Sequence, residues 1–311
     1  LFLKSWVTRL DRRRFEVFCY HTGTKCDGET EIARAFADRF LEGRRSDQGW
    51  RQAILGDRPH VLLYPEIGMD AMSTRLAAQR LAGVQAVAWG HPETTGLPTV
   101  DLFLSSALME PEDGDQHYTE RLVRLPHLGT CYEPDRTLPW AASRADFGLR
   151  EQAVVYWCGQ ALYKYHPGDD PVLPQIALAV GDCQFVFIEH GTGTRVTATV
   201  RRRLEQAFAA AGLAPERHLV FLQPMPQAGF LAGVALSDVL LDSIGWSGGR
   251  STLDCLSQNR PLVTLPGRLM RSRHTAAILT RMDLRETIAD SVDHYVALAV
   301  RLGRDPLWRT A

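Results

Sequence analysis

The chain has 311 residues, 45% hydrophobic and 23% charged, with a formal net charge of -1. That length suits two domains of ordinary size. The near-neutral balance gives no electrostatic reason to expect nucleic acid or a membrane surface as a partner, and no apolar run is long enough to cross a bilayer.

The six cysteines, Cys19, Cys26, Cys131, Cys158, Cys183 and Cys255, form no C-x-x-C pair and no metal-ligand spacing. Most lie in apolar strand or helix patterns and read as buried free thiols in a reducing, cytoplasmic setting. The opening "LFLKSWVTRLD" reads as the middle of a helix. A truncated N-terminal domain, with further residues upstream, is therefore expected.

From "FEVFCYHTG" onward, strands and helices alternate. "ETEIARAFADRFLEG" sets Ile32, Phe36, Phe40 and Leu41 at helical spacing. "HVLLYPE" is a continuous apolar run suited to a strand buried on both faces. "AMSTRLAAQRLAG" predicts a helix ending at Gly83, and "VQAVAWG", "VDLFLSS" and "RLVRLP" predict three strands. "HLGTCYEPDRTLPWAASRADFG" then carries prolines and no period, which predicts a linker.

The alternation restarts after it. "AVVYWCG", "CQFVFIEH", "HLVFLQP", "DVLLDS" and "PLVTLPG" read as strands. "PVLPQIALAV", "RVTATVRRRLEQAFAAAGL", "AGFLAGVALS" and "STLDCLSQ" read as the helices between them, and helices finish the chain. The β–α alternation implies parallel sheets with right-handed crossovers. The expected organisation is an α/β chain of two Rossmann-like domains facing a cleft: residues 1–137, a linker at 138–152, and residues 153–311.

Three strand ends carry the polar residues that chemistry needs. In an open parallel sheet, ligands bind beyond the carboxyl ends of strands. After "DVLLDS", the loop offers Gly248 and Gly249 and runs into a helix at Arg250, Ser251 and Thr252. The first N–H groups of a helix lack intrahelical acceptors, and together with the dipole they suit a phosphate. Asp254 falls in the first turn, where it can accept from sugar hydroxyls. The same residues also fit a plain helix start with Ser251 as N-cap. After "AVVYWC", Gln160 and Lys164 follow, and a lysine there can neutralise a leaving diphosphate. In the first half, "VQAVAWGHPETTG" places Gly90, His91, Thr94 and Thr95 at a strand's end, as sugar or acceptor contacts. Neither the P-loop nor the dinucleotide fingerprint is present, and no Asp-x-Asp pair is placed to hold a divalent ion.

Read together and in order, these segments resemble the catalytic region of glycosyltransferase family 41. That family holds the protein O-linked N-acetylglucosamine transferases, the SPINDLY-type proteins and the bacterial adhesin N-glucosyltransferases. "FEVFCYHTG", "HYTERLVRLPHLG", "GQALYKYHP", "GGRSTLDCLSQNRPLVTLPG" and "SRHTAAIL" carry the likeness, and "WGHPETTG" resembles the bacterial branch more than the animal enzymes.

The resemblance implies a GT-B fold with a nucleotide sugar in the cleft, and inverting transfer to a protein side chain without a metal or other cofactor. It places Lys164, with His91, as catalytic. Lys164 matches the diphosphate-contacting lysine, with Gln160 near the family's donor glutamine at a spacing one residue longer. Arg250, Ser251 and Thr252 fall where a His-Thr-Thr run is common, and Asp254 matches the ribose-holding acid. Met225 lies where the backbone reads the uracil edge. Phe230 replaces a histidine set against the base.

The implied reaction moves N-acetylglucosamine from a UDP-sugar to Ser or Thr of a protein. Two alternatives stand beside it: UDP-glucose-dependent transfer to Asn, and a nucleotide-sugar-binding module without transfer. The upstream segment with a family histidine near the acceptor does not occur in this sequence. Neither does the tetratricopeptide array that many members use to grip proteins; such repeats are expected in a full-length chain.

Overall fold

Short parallel strands organise both halves of the chain. The computed structural model describes residues 4–65, 67–133, 137–191 and 194–310, the side chain of residue 194 excepted. Residues 1–3, in the stretch read as mid-helix, and 134–136, in the stretch read as linker, lie outside the described residues. The chain divides into two units, residues 1–133 and 134–311.

The first unit runs α1 (Lys4–Arg9), β1 (Phe18–His21), α2 (Gly28–Phe36), β2 (Arg39–Glu42), α3 (Asp47–Asp57), β3 (Val61–Tyr64), α4 (Ala71–Ala77), β4 (Val84–Ala88), β5 (Leu102–Ser106) and β6 (Arg121–Leu125). β1 and β2 form a parallel pair, and β3-β4-β5-β6 form a parallel sheet in chain order. That order never reverses, so this sheet has no switch point.

Three expectations change here. The helix predicted through Leu41 stops at Phe36, because Ala37 turns extended (φ -74, ψ 140). Phe40 and Leu41 instead lie in β2, where pairing with β1 satisfies their backbone and Phe40 packs under the Arg34 guanidinium at 5.0 Å. The helix predicted to Gly83 ends at Ala77. The Gln85 side chain accepts from Leu81 N and donates to Gln79 O and Thr99 O, which satisfies the backbone of the following loop without helix. Finally, α3 was not anticipated. Ser46 caps it, and only Trp50 and Ile54 are buried, too few to register as a period.

The second unit contains β7 (Val154–Cys158), α5 (Val172–Val180), β8 (Cys183–Ile188), α6 (Thr194–Ala210), α7 (Pro215–His218), β9 (Leu219–Leu222), α8 (Gln227–Leu236), β10 (Val239–Leu241), α9 (Arg250–Leu256), β11 (Leu262–Val263), α10 (His274–Arg281), α11 (Val292–Arg304) and α12 (Pro306–Thr310). Its sheet is parallel in the order β11-β10-β7-β8-β9. Tyr156, Phe185 and Phe187 pack on one face against Ile176, Leu204 and Leu298 of α5, α6 and α11. Val155, Trp157, Val186 and Leu240 pack on the other with Ala232, Cys255 and Leu279 of α8, α9 and α10. Burial on both faces is why these strands read as unbroken apolar runs. Each large apolar side chain buried this way contributes about 1.5–3 kcal/mol.

The predicted linker at 138–152 belongs to this unit. Trp140 N donates to Ala228 O, and its ring covers Gly229. Arg144 donates to the carbonyls of Glu151 and Ala153 and to the Asp238 carboxylate. Lack of period marked irregular backbone there, but not freedom. Of the cysteines, Cys158, Cys183 and Cys255 are buried, whereas Cys26 and Cys131 are exposed.

Candidate active site

Strand order in the second unit reverses between β7 and β10. The crevice beyond their carboxyl ends is the switch point, where the backbone diverges and a ligand has room. Both strands end in polar residues there: Gln160 two positions beyond β7, and Asp242 directly after β10.

Gln160 is 8% exposed, and its Oε1 accepts from Ser251 Oγ at 3.0 Å. That bond ties the β7 loop to the start of α9. Ser251 is therefore not the helix cap; Gly249 occupies the N-cap position and supplies no side chain to it. The first N–H groups of α9 have no intrahelical acceptor. The space at Gly248 is tight: a Cβ there would lie 2.2 Å from Gln160 Nε2 and 2.5 Å from Thr252 Oγ1, so these side chains would have to move.

Lys164 ends a 3-10 turn (Leu162–Lys164), and its Nζ donates to Ser247 O at 3.0 Å. Its ammonium also lies 5.6 Å from the Trp246 ring centre. Burial lowers the Lys164 pKa, and the Asp242 carboxylate pulls it partly back. Beside Lys164 lies a cavity of about 680 Å³, with Tyr163, His166, Arg195, Trp246 and Arg271 among its lining residues.

Thr252 does not present its hydroxyl outward. It is fully buried, and its Oγ1 pairs with Thr275 Oγ1 at 2.8 Å. Asp254 is 5% exposed, and its Oδ2 lies 3.5 Å from Arg250 Nε one helical turn earlier. Met225 and Phe230 pack partly buried against the α8–α10 face of the core, with Phe230 edge-on to Trp157 at 5.5 Å. Sequence reasoning passed over Asp242, Ser247, Thr264 and Thr275, which form the buried network under this loop. One signal for it was available: an acid directly ending an apolar strand.

In the first unit, Gly90 and His91 follow β4. His91 Nδ1 accepts from Gly68 N at 3.3 Å. Thr94 and Thr95 are engaged elsewhere. Thr94 Oγ1 donates to Glu120 Oε2 at 2.7 Å, Thr95 N donates to Glu120 Oε1 at 2.8 Å, and Thr95 Oγ1 donates to that same oxygen. Burial pushes the Glu120 carboxyl up, but these bonds outweigh it and hold it below the ordinary glutamate range. The two threonines thus fasten a loop.

Among the described residues, one group of potential metal ligands comes together: His21, Cys26 and Glu42, with ligand atoms within 4.8 Å of one another. Spacing along the chain hides it, because the pairing of β1 with β2 assembles it. Arg34 donates to Glu42 Oε2 at 2.8 Å, so that carboxylate is balanced without an ion. Among the described residues, no helix is long and apolar enough to cross a membrane.

The parallel sheets, the switch-point crevice and its cation define the fold class of the GT-B glycosyltransferases. A sucrose-phosphate synthase from Thermosynechococcus elongatus shares that fold at a TM-score of 0.58, with 12% identity, covering 85% of this chain and 69% of that one. The family model "Glycosyl transferase family 41" matches residues 128–310. The chain belongs to glycosyltransferase family 41.

It is 29% identical over 316 residues to a Petunia hybrida protein named "Probable UDP-N-acetylglucosamine--peptide N-acetylglucosaminyltransferase SPINDLY", covering 98% of this chain and 33% of that one. The structure of a mutant O-GlcNAc transferase from Thermobaculum terrenum matches at a TM-score of 0.84 and 29% identity, covering 98% of this chain and 57% of that one. The chain thus spans about a third of the length of the curated relatives it matches.

Proposed function

We propose that this chain carries the catalytic region of an inverting protein glycosyltransferase that moves N-acetylglucosamine from UDP-N-acetylglucosamine to Ser or Thr of a protein. Family membership and the names of its relatives support the reaction class. The single observation that carries the site is the convergence of Gln160, Lys164, Gly248 and Ser251 at the switch point.

In the reaction, the acceptor hydroxyl oxygen attacks the sugar's anomeric carbon. The bond from that carbon to the diphosphate breaks, the electron pair leaves with UDP, and the hydroxyl proton passes to water. Charge grows on the departing diphosphate. Lys164 and the N–H groups opening α9 are assigned to stabilise that charge, a reading that the Lys164–Ser247 bond beside the helix start supports. Fixed donors in a partly buried site gain more than the same groups in water. This assignment needs no divalent cation for turnover. Asp254 and the backbone near Met225 are assigned to the nucleoside, with Phe230 against the base. The cavity beside Lys164 offers volume for the sugar. His91 is assigned to the sugar or acceptor.

The test is a transfer assay on the longest soluble chain. It offers UDP-N-acetylglucosamine and UDP-glucose, each with Ser/Thr and Asn peptides, with and without magnesium or manganese. Ser/Thr glycosylation with the first donor, unchanged by the added metal, is expected. Glucosylation of Asn would transfer the reading to a different reaction. UDP binding with no transfer under any condition would leave only a binding module.

A further inference from the structure

Asp242 sits where β10 ends, is 4% exposed, and no role in the reaction has been given to it so far. Its carboxylate is fully engaged. Oδ1 accepts from Gly248 N at 2.8 Å, and Oδ2 accepts from Ser247 Oγ at 2.6 Å and Thr264 Oγ1 at 2.7 Å. Tyr295 OH donates to its backbone carbonyl at 2.8 Å. Burying a carboxylate is costly, and a chain keeps one only where the surroundings answer it. Here most of the answer comes from a single segment, Ser247–Gly248.

That segment is also the one that meets Lys164 and α9. Lys164 Nζ donates to the carbonyl of Ser247. Ser247 Oγ accepts from Thr275 N at 2.9 Å and lies 2.8 Å from Thr275 Oγ1, which in turn pairs with Thr252 on α9. A buried carboxyl group, a two-residue bridge and a half-buried ammonium thus form one chain of contacts. Burial pushes the Asp242 carboxyl up and the bonds it accepts draw it partly back, while its charged form favours the Lys164 ammonium.

We propose that Asp242 is a positioning residue of the donor site, which fixes the Ser247–Gly248 segment and through it sets the place of the Lys164 ammonium. It touches no substrate. Part of its effect passes through Lys164, so removing it after Lys164 is gone should cost less than removing it alone. A carboxylate that only stabilises the fold carries no such dependence, since independent effects add. The inference rests on the donor-site reading above.

The test is a double-mutant cycle on Asp242→Asn and Lys164→Ala, read by calorimetric titration of UDP, with a melting curve for each variant. UDP affinity stays measurable even where turnover does not. Asp242→Asn is expected to weaken UDP by about tenfold in the wild-type background and by about threefold or less in the Lys164→Ala background. Ser247→Ala, which leaves the carboxylate and the Ser247 carbonyl in place, repeats the cycle should Asp242→Asn fail to fold; the same non-additivity at smaller size is expected. Additive losses, or unchanged UDP affinity in a folded variant, overturn the positioning role while wild-type UDP binding keeps the donor-site reading intact. Absence of UDP binding in the wild type overturns both.

Discussion

The carboxyl ends of the two main sheets pose the same question and answer it differently. In both units a strand hands over to a loop rich in glycine, hydroxyls and a basic side chain: "WGHPETTG" after β4, and "SIGWSGGRST" after β10. After β10, the polar groups fall at a switch point, and a buried carboxylate organises them from beneath. After β4, the sheet order does not reverse, and Glu120 takes both threonine hydroxyls for itself. Hydroxyl-rich sequence at a strand end therefore marks a site only where the partners of those hydroxyls leave something over for a ligand. In the second unit the reading proposed above assigns that remainder to the start of α9 and the ammonium of Lys164.

The largest expected effect tests the rich end of this contrast. Lys164→Ala should lower kcat by about a hundredfold or more while the protein stays folded, since one preorganised charge contact to the leaving group is lost. Turnover assays beside a melting curve check it, and wild-type turnover in the folded variant would remove the role. Next in size, Gly248→Val should weaken UDP by about tenfold or more. Its branched side chain would collide with Gln160, Thr252 and Ser251, all closer than 3.0 Å to a Cβ. Calorimetry on the folded fraction is the measurement. Asp254→Ala should raise KM with little change in kcat, because the ribose is unaltered by the reaction and its contact is uniform binding.

The half-buried position of Lys164 also sets a pH dependence. Its free-enzyme pKa lies below that of an ordinary lysine, chiefly through burial. The ammonium is therefore lost at lower pH than an exposed lysine would lose it, and kcat/KM should fall on the alkaline side accordingly. A bound diphosphate favours the charged form, so the alkaline limb of kcat should lie at higher pH than that of kcat/KM. Coincident limbs would contradict a lysine facing the diphosphate.

The smallest effect tests the poor end. Thr95→Val should cost the first unit about 1–3 kcal/mol of stability by leaving Glu120 short of a donor, and it should leave UDP affinity unchanged. The acid side carries a second signature. Glu120 has a folded pKa below its unfolded one, so its contribution is present above the ordinary glutamate range and is lost as pH falls through the folded value. Glu120→Gln should flatten that part of the acid-unfolding curve.

Much of this organisation was legible beforehand, for physical reasons. Strands buried on both faces leave unbroken apolar runs, and the five of the second unit stand where the sequence places them. Glycines and hydroxyls at a strand–helix junction also announce themselves. Side-chain competition does not. Nothing in "ETTG" says that Glu120, some 25 residues on, will occupy both hydroxyls. Thr252 and Ser251 are neighbours of like chemistry, yet one faces a buried threonine and the other Gln160. Helix ends are equally hidden when a side chain a few residues on, such as Gln85, satisfies the backbone in the helix's place.

The central claim is that the switch point of the second unit is the donor site and the β4 loop is not its equivalent. Titrating UDP into the wild type, Lys164→Ala and Thr95→Val tests it most directly. The account predicts saturable binding at one site per chain, weakened by about tenfold or more in Lys164→Ala and unchanged in Thr95→Val. Equal UDP affinity in the wild type and Lys164→Ala, or a loss confined to Thr95→Val, would contradict it.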